Sequence, residues 1–234
     1  MAETSRLADR QISTTEVGAR LRLLIDQGLA GADGRLPAER DLCEMLGVGR
    51  RTISAALQSL EAEGLIWRRQ GKGTFIGLQP EPTQVLAAEI VGQTNIIEVM
   101  EARLCIEPAL AAMSARNARP AEIERMRALA RRTVEAGDPG SIEIWDSALH
   151  RLIAQTAGNK PLLTAFSMID EIRANPDWRG RRSRARSADT LKISDREHHA
   201  IIDRIEAGDA LGAEAAMRAH LTTLAENIRR SPGI

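Results

Sequence analysis

The stretch from Gly34 to Ile76, GRLPAERDLCEMLGVGRRTISAALQSLEAEGLIWRRQGKGTFI, limits the possible folds of this chain more than any other. Pro37 sits where a helix begins, because its missing N–H would be unbonded in a first turn anyway. Leu42, Met45 and Leu46 follow at helical spacing, and Gly47 ends the pattern. A second helical pattern starts at Arg51, with Ile53, Leu57 and Leu60 on one face. Glu63-Gly64 closes it. Leu65-Ile66-Trp67 then reads as a strand, Arg68 to Gly73 as a basic turn bracketed by glycines, and Thr74-Phe75-Ile76 as a second strand. Two short helices around a Gly-containing turn, followed by a hairpin with a cationic tip, make a helix-turn-helix with a wing. In that motif the second helix enters the major groove, and the tip reaches phosphates or a minor groove. The plainer alternative, a helical hairpin beside a solvated turn, does not account for all four pieces arriving in order.

Composition narrows the function. The 234 residues suffice for two modest domains. Charge is balanced, with 32 basic and 32 acidic residues, so contact with a polyanion has to come from local clusters such as Arg50-Arg51 and Arg68-Arg69. Aromatic content of 2% argues against stacking recognition of single strands. Cys43 and Cys105 are the only cysteines and lie in helical patterns, which does not support a disulfide framework or a cysteine zinc site and suits a reducing cytosol. No apolar run approaches the roughly 18 residues of a membrane span. The polar start, MAETSRLADRQ, lacks the apolar core of a signal peptide, so the expected compartment is the cytoplasm.

In chain order, residues 1–11 read as disordered, and Ser13 to Glu16 offers caps for a helix through about Gln27. A winged domain is expected over 12–77. Pro80-Glu81-Pro82 bars both helix and central strand and marks a linker. From 83 to 230 helical periodicity dominates, with helices expected near 83–91, 94–117, 120–136, 141–157, 160–174, 187–207 and 209–230. Separators stand at Arg119-Pro120, Gly137 to Gly140, Gly158 to Pro161 (with Asn159 a cap) and Gly208-Asp209. The expected fold is therefore mainly α, a winged helix-turn-helix followed by an all-α helical bundle. Six arginines fall between Arg173 and Arg186; a solvated loop or helix face accounts for them more simply than an anion-facing strip.

The four histidines, His150, His198, His199 and His220, all lie in the helical half. Asp146 and His150 stand at i and i+4 and share a helix face. One carboxylate and three imidazoles from three helices can hold a divalent cation with positions left open for a ligand. A helical histidine alone is more often structural.

The motifs LPAERDL, GVGRRTISAAL, LEAEGLI and GKGTFI resemble the winged helix of GntR-type bacterial transcription regulators, from about Val17 to Ile76. The resemblance implies that DNA is met by Arg40, by Arg50, Arg51, Thr52 and Ser54 of the recognition helix, and by Gly71, Lys72 and Gly73 of the wing. Gly49 stands where the family usually has Ser or Thr, and Ser54 where it usually has Arg. Glu101-Ala102-Arg103 with Glu107-Pro108, Asp146-x-x-x-His150, Glu197-His198, Gly208-Asp209 and His220 resemble the helical FCD effector domain of the FadR-type branch, over 83–230. That resemblance implies metal ligands Asp146, His150, His198 and His220, with His198 preferred to His199 because it matches the family's register before AIIDRI. The ion implied is zinc, with nickel or manganese as alternatives. It also implies that Arg103 faces the effector pocket; its plainer role is an ion pair with Glu107.

These features together predict a homodimeric, ligand-responsive DNA-binding regulator, a repressor reading a palindromic double-stranded operator, with a small organic acid as effector and no membrane partner. Two rivals are a helical metallohydrolase, for which no hydrolytic motif such as H-E-x-x-H is present, and an interaction module that uses the winged helix for protein contacts.

Overall fold

The computed structural model describes residues 13–31, 33–79, 83–175, 180 and 186–230. The expectations of a disordered N-terminus, of a linker at Pro80 and Pro82, and of a role for Arg179, Arg181, Arg182 and Arg184 lie outside these residues. The chain divides into two compact units, residues 1–76 and 77–234.

In the first unit, α1 (Thr14–Asp26) is capped by the Ser13 hydroxyl, which accepts from Glu16 N–H. Then come α2 (Glu39–Leu46) and α3 (Arg50–Ala62). Helix α2 starts two residues later than Pro37 suggests, because Ala38 is still extended. Gly47 closes α2 with a left-handed φ of 64°, a conformation that costs glycine nothing. Val17, Leu21 and Ile25 of α1 pack with Leu42, Ile53, Leu57 and Leu60 in a buried core. Strands β1 (Ile66–Arg69) and β2 (Gly73–Ile76) pair antiparallel, with Trp67 opposite Phe75 and Arg69 opposite Gly73. Residues 34–36 add a short third rung, with Arg35 bridged to Phe75, Leu36 N–H donating to Thr74 C=O, and Ile76 N–H to Gly34 C=O.

Among its described residues the second unit consists of helices and their connections, with no strand: α4 (Gln84–Ile90), a single 3-10 turn (Val91–Gln93), α5 (Ile96–Asn117), α6 (Pro120–Glu135), α7 (Pro139–Thr156), α8 (Lys160–Arg173), α9 (Ala188–Glu206) and α10 (Ala210–Arg229). Helix α7 begins inside the expected separator because Asp138 caps it, accepting from Gly140 and Ser141 N–H, and Pro139 takes the first turn. Helix α5 is the hub, touching α7, α8, α9 and α10. Pro108 lies within it and cannot donate to the carbonyl of Leu104; Arg218 of α10 donates to that carbonyl instead, at 3.3 Å. Between α5 and α7, Ser114 and Thr156 share a buried hydroxyl hydrogen bond of 2.6 Å. Nearby, Leu110, Ala154, Leu163 and Phe166 form an apolar cluster.

Helix α5 opens with a reciprocal cap. The Asn95 side chain accepts from Ile97 and Glu98 N–H, and the Glu98 carboxylate accepts from Asn95 N–H. Asn95→Ala is expected to destabilise the helical unit by about 1 kcal/mol, read as a lower urea midpoint by circular dichroism.

Candidate metal centre and DNA-binding surface

Three helices bring Asp146 and His150 (α7), His198 (α9) and His220 (α10) to one buried point. One ligand atom from each lies within 4.8 Å of all the others. Asp146 Oδ1 is 3.4 Å from His198 Nε2 and 3.9 Å from His150 Nε2. The three imidazoles are at most 2% exposed. Their Nε2 atoms are buried and make no hydrogen bond.

The other edges of two of these rings are held. His150 Nδ1 lies 2.5 Å from Glu107 Oε2, and His220 Nδ1 lies 2.9 Å from Glu197 Oε2. A carboxylate accepting at Nδ1 places the ring proton there and turns the Nε2 lone pair inward. Burial pushes the His198 pKa well below its usual value, with His220 adding to the effect against the opposing pull of Asp146. Burial also lowers that of His220, and the Glu197 bond only partly offsets it. Burial alone would raise Asp146, but His150, His198, Arg173 and Arg186 hold it well below the usual carboxylate range. Neutral imidazoles and an ionised carboxylate are the states that ligate a cation. Uncapped buried nitrogens would each otherwise be a cost, so the donor set fits a divalent transition ion. His199 faces elsewhere, toward the Asp195 carbonyl at 2.9 Å and carboxylate at 3.2 Å.

Beside these ligands is a cavity of about 40 Å³ whose wall includes Arg103, Asp146, Arg173, Arg186, Ser194 and Asn227. At 10–15 Å³ per water this is room for about three waters or a short polar chain. Arg103 thus reaches the cavity, yet it also makes the ion pair with Glu107 that the sequence offered as its alternative. Burial would raise Glu107, and the Arg103 charge together with the hydrogen bonds from His150 and Arg103 hold it far below its usual value. Arg173 donates to Asp146 (3.1 Å) and to Asp170 (3.2 Å), and Asp170 also pairs with Arg151. Arg186 pairs with the buried Glu143. The two ends of the arginine run therefore turn inward, which corrects the expectation of a solvated strip at those two positions. Buried acids draw them in, since an unpaired buried charge is costly. Glu107 and Glu197 as ring holders were missed, because their partners lie on other helices. Only the Arg103–Glu107 spacing of four gave a local signal.

On the first unit, Arg40 is exposed and touches only its neighbour Asp41, at 3.3 Å. Arg50 and Arg51 are exposed at the start of α3, behind Gly49, which offers no side-chain cap. Thr52 and Ser54 are half-buried. Gly71, Lys72 and Gly73 are exposed at the hairpin tip, where positive φ values of 73° and 116° require the two glycines. Arg68 departs from the sequence reading. It pairs with Glu61 (3.3 Å) and Glu39 (3.8 Å) and donates to the Ser54 carbonyl (3.2 Å), so it ties the wing to α2 and α3. Alternation along the strand sends Arg68 inward and Arg69 outward.

A winged helix-turn-helix followed by a helical unit with a buried ligand cluster defines a DNA-binding transcription regulator with its own sensing domain. Comparison with known proteins agrees. Residues 13–76 match the model for bacterial regulatory proteins of the gntR family, and residues 98–223 match the FCD domain. The chain belongs to the gntR family and carries an FCD domain. It is 31% identical over 224 residues to an Escherichia coli K12 protein described as an L-lactate dehydrogenase operon regulatory protein, covering 92% of this chain and 86% of that one. It is also 31% identical to the E. coli Uxu operon transcriptional regulator, covering 92% and 84%. The solved structure of E. coli McbR/YncC shares the fold, with a TM-score of 0.51 at 16% identity over 93% of this chain and 97% of that one. The family and these relatives are regulators, so the metallohydrolase alternative falls. Among the described residues no helix is long and apolar enough to cross a membrane.

Glu197→Ala removes the acceptor at His220 Nδ1 and leaves all four ligand atoms in place. It is expected to weaken divalent-metal affinity about 10- to 100-fold, measured by competition with a chromogenic chelator.

Proposed function

We propose that this regulator is an acid-responsive repressor that binds a palindromic operator as a homodimer, in the bacterial cytoplasm, and holds a divalent metal in its sensing domain. The observation that carries the reading is the convergence of three buried, uncapped imidazole nitrogens and one carboxylate beside a small cavity walled by arginines. Asp146, His150, His198 and His220 would hold the ion, with zinc first and nickel or manganese as alternatives. When bound, it supplies a Lewis-acidic position for an anionic oxygen. The protein's own groups supply the rest. Glu107 and Glu197 orient the rings, and Arg103, Arg173 and Arg186 place guanidinium groups in the cavity wall.

A small organic acid suits such a cavity, since a neutral apolar ligand would answer none of these groups. Arg103 would share its guanidinium between the acid and Glu107. Support for repression comes from the relatives, one of which, from Enterobacter, is named as the transcriptional repressor NanR. On DNA, Arg40, Arg50, Arg51, Thr52 and Ser54 face the major groove and its phosphates, and Gly71, Lys72 and Gly73 carry the wing to the backbone. Acid binding would shift the dimer between DNA-competent and incompetent arrangements through its different affinity for the two.

Two tests follow. His150→Ala and His220→Ala are each expected to lose the metal that elemental analysis finds in the wild-type protein. Native protein that is metal-free and takes up neither zinc, nickel nor manganese would overturn the site. On the metal-loaded protein, a thermal-shift screen is expected to pick out small carboxylates over neutral apolar compounds; the reverse order would refute the acid reading. On the DNA side, Arg50→Ala is expected to cost about 1–3 kcal/mol of operator affinity with folding intact, read by gel-shift titration at fixed salt.

A further inference from the structure

We infer that Arg35, which lies outside both the helix-turn-helix and the hairpin in sequence, is a DNA-backbone contact of the wing. The inference rests on the proposed approach of the wing to DNA and adds a residue to it.

The placement follows from sheet geometry. Partners across an antiparallel pair project to the same face, and so do residues two apart on one strand. Trp67 is paired with Phe75, Arg69 with Gly73, and Arg35 is bridged to Phe75 from the other side of β2. Trp67, Arg69, Gly73, Phe75 and Arg35 therefore share one face, and on it the Trp67 and Phe75 rings stack with centroids 4.7 Å apart. The opposite face turns Ile66, Thr74 and Ile76 into the core.

On the outer face the Arg35 side chain runs toward the tip. A Cβ added at Gly73 would sit 2.9 Å from its Nε and 3.4 Å from its Nη2. The Arg35 guanidinium thus occupies the place a side chain at position 73 would take. It flanks Gly73 on one side, and Arg69 stands on the other. Lys72 is the next residue at the tip.

Arg35, Arg69 and Lys72 thus stand at or beside the tip, and all three residues are exposed. Among the described residues no carboxylate pairs with any of them. Arg35 uses only its backbone for hydrogen bonds among the described residues, its N–H donating to Asp33 Oδ1 at 3.0 Å and its carbonyl accepting from Gly31 N–H at 2.9 Å. Like charges gathered on adjacent strands repel one another in the free protein. A polyanionic backbone removes that repulsion and releases counterions as each phosphate is neutralised. A contact to phosphate carries no base information, so the contribution of Arg35 is sequence-independent.

The test uses sheared genomic duplex DNA, which needs no knowledge of the operator, with binding followed by fluorescence anisotropy across a salt series. Arg35→Gln keeps most of the stem and removes the charge; Arg35→Lys keeps the charge. The expected result is a severalfold weaker complex for Arg35→Gln and a salt slope smaller by about one, matched by Lys72→Ala and restored by Arg35→Lys. Melting curves of the variants check the fold. A normal slope for Arg35→Gln alongside a reduced one for Lys72→Ala overturns the inference and leaves the wing contact standing. Normal slopes for both variants mean that the wing itself does not meet DNA. A lowered melting point with unchanged slope assigns Arg35 a packing role and likewise overturns the inference.

Discussion

Two carboxylates, Glu107 and Glu197, decide what the buried histidines can do. An imidazole held at Nδ1 cannot turn over, so its Nε2 lone pair has one direction left. His150 and His220 are held in this way, and their Nε2 atoms point at the same place as those of His198 and the carboxylate of Asp146. The arrangement then propagates outward, because each buried acid needs its own partner. Glu107 takes Arg103, Asp146 takes Arg173, Arg173 takes Asp170, and Asp170 takes Arg151, which finally donates to the backbone carbonyl of Leu78 at 2.6 Å. A polar network of this kind is tolerable in a helical core only when it closes on itself or on backbone.

The scaffold holds that network in register. Asp146 and His150 sit one turn apart on α7, directly among Trp145, Leu149, Leu152 and Ile153, all nearly fully buried. Arg132 of α6 lies over the Trp145 ring at 5.2 Å, which places another cation at the edge of the same core. Helix α5 runs through the middle and presents Arg103 and Glu107 to α7. The proline that follows Glu107 would leave a carbonyl without its helical partner, and Arg218 of α10 donates to it. The helix that supplies His220 therefore also mends the helix that supplies Glu107.

Much of this was legible in the sequence because it is periodic. The helices of the second unit, the wing and the four-residue spacing of Asp146 and His150 all follow from local pattern. Boundaries moved where a cap decided them: Asp138 drew α7 two residues forward, and Ala38 held back α2. Side-chain partners across helices were not legible. Glu107 and His150 are 43 positions apart, and nothing in either segment says that they meet. Direction was also hidden within charge runs. Arg68 and Arg69 look alike as a pair, but strand alternation turns one against Glu39 and Glu61 and leaves the other outside. Arg35 was overlooked because only a third rung of the sheet carries it to the wing.

The balance of charge takes on meaning from these pairings. A chain with equal numbers of acids and bases has no excess to offer DNA, yet its arginines are not spread evenly between roles. In the sensing unit, Arg103, Arg151, Arg173 and Arg186 are committed to buried acids. In the winged unit, Arg35, Arg50, Arg51, Arg69 and Lys72 are left facing solvent. On the proposed reading this has a mechanical consequence. An acid entering the cavity meets guanidiniums already engaged with Glu107, Asp146 and Glu143, so it competes for them rather than filling an empty berth. Its binding is an exchange of ion pairs among α5, α7, α8 and the start of α9. Those are the helices whose relative positions the pairs define, and a ligand that favours one set of pairs over another thereby favours one arrangement of helices over another.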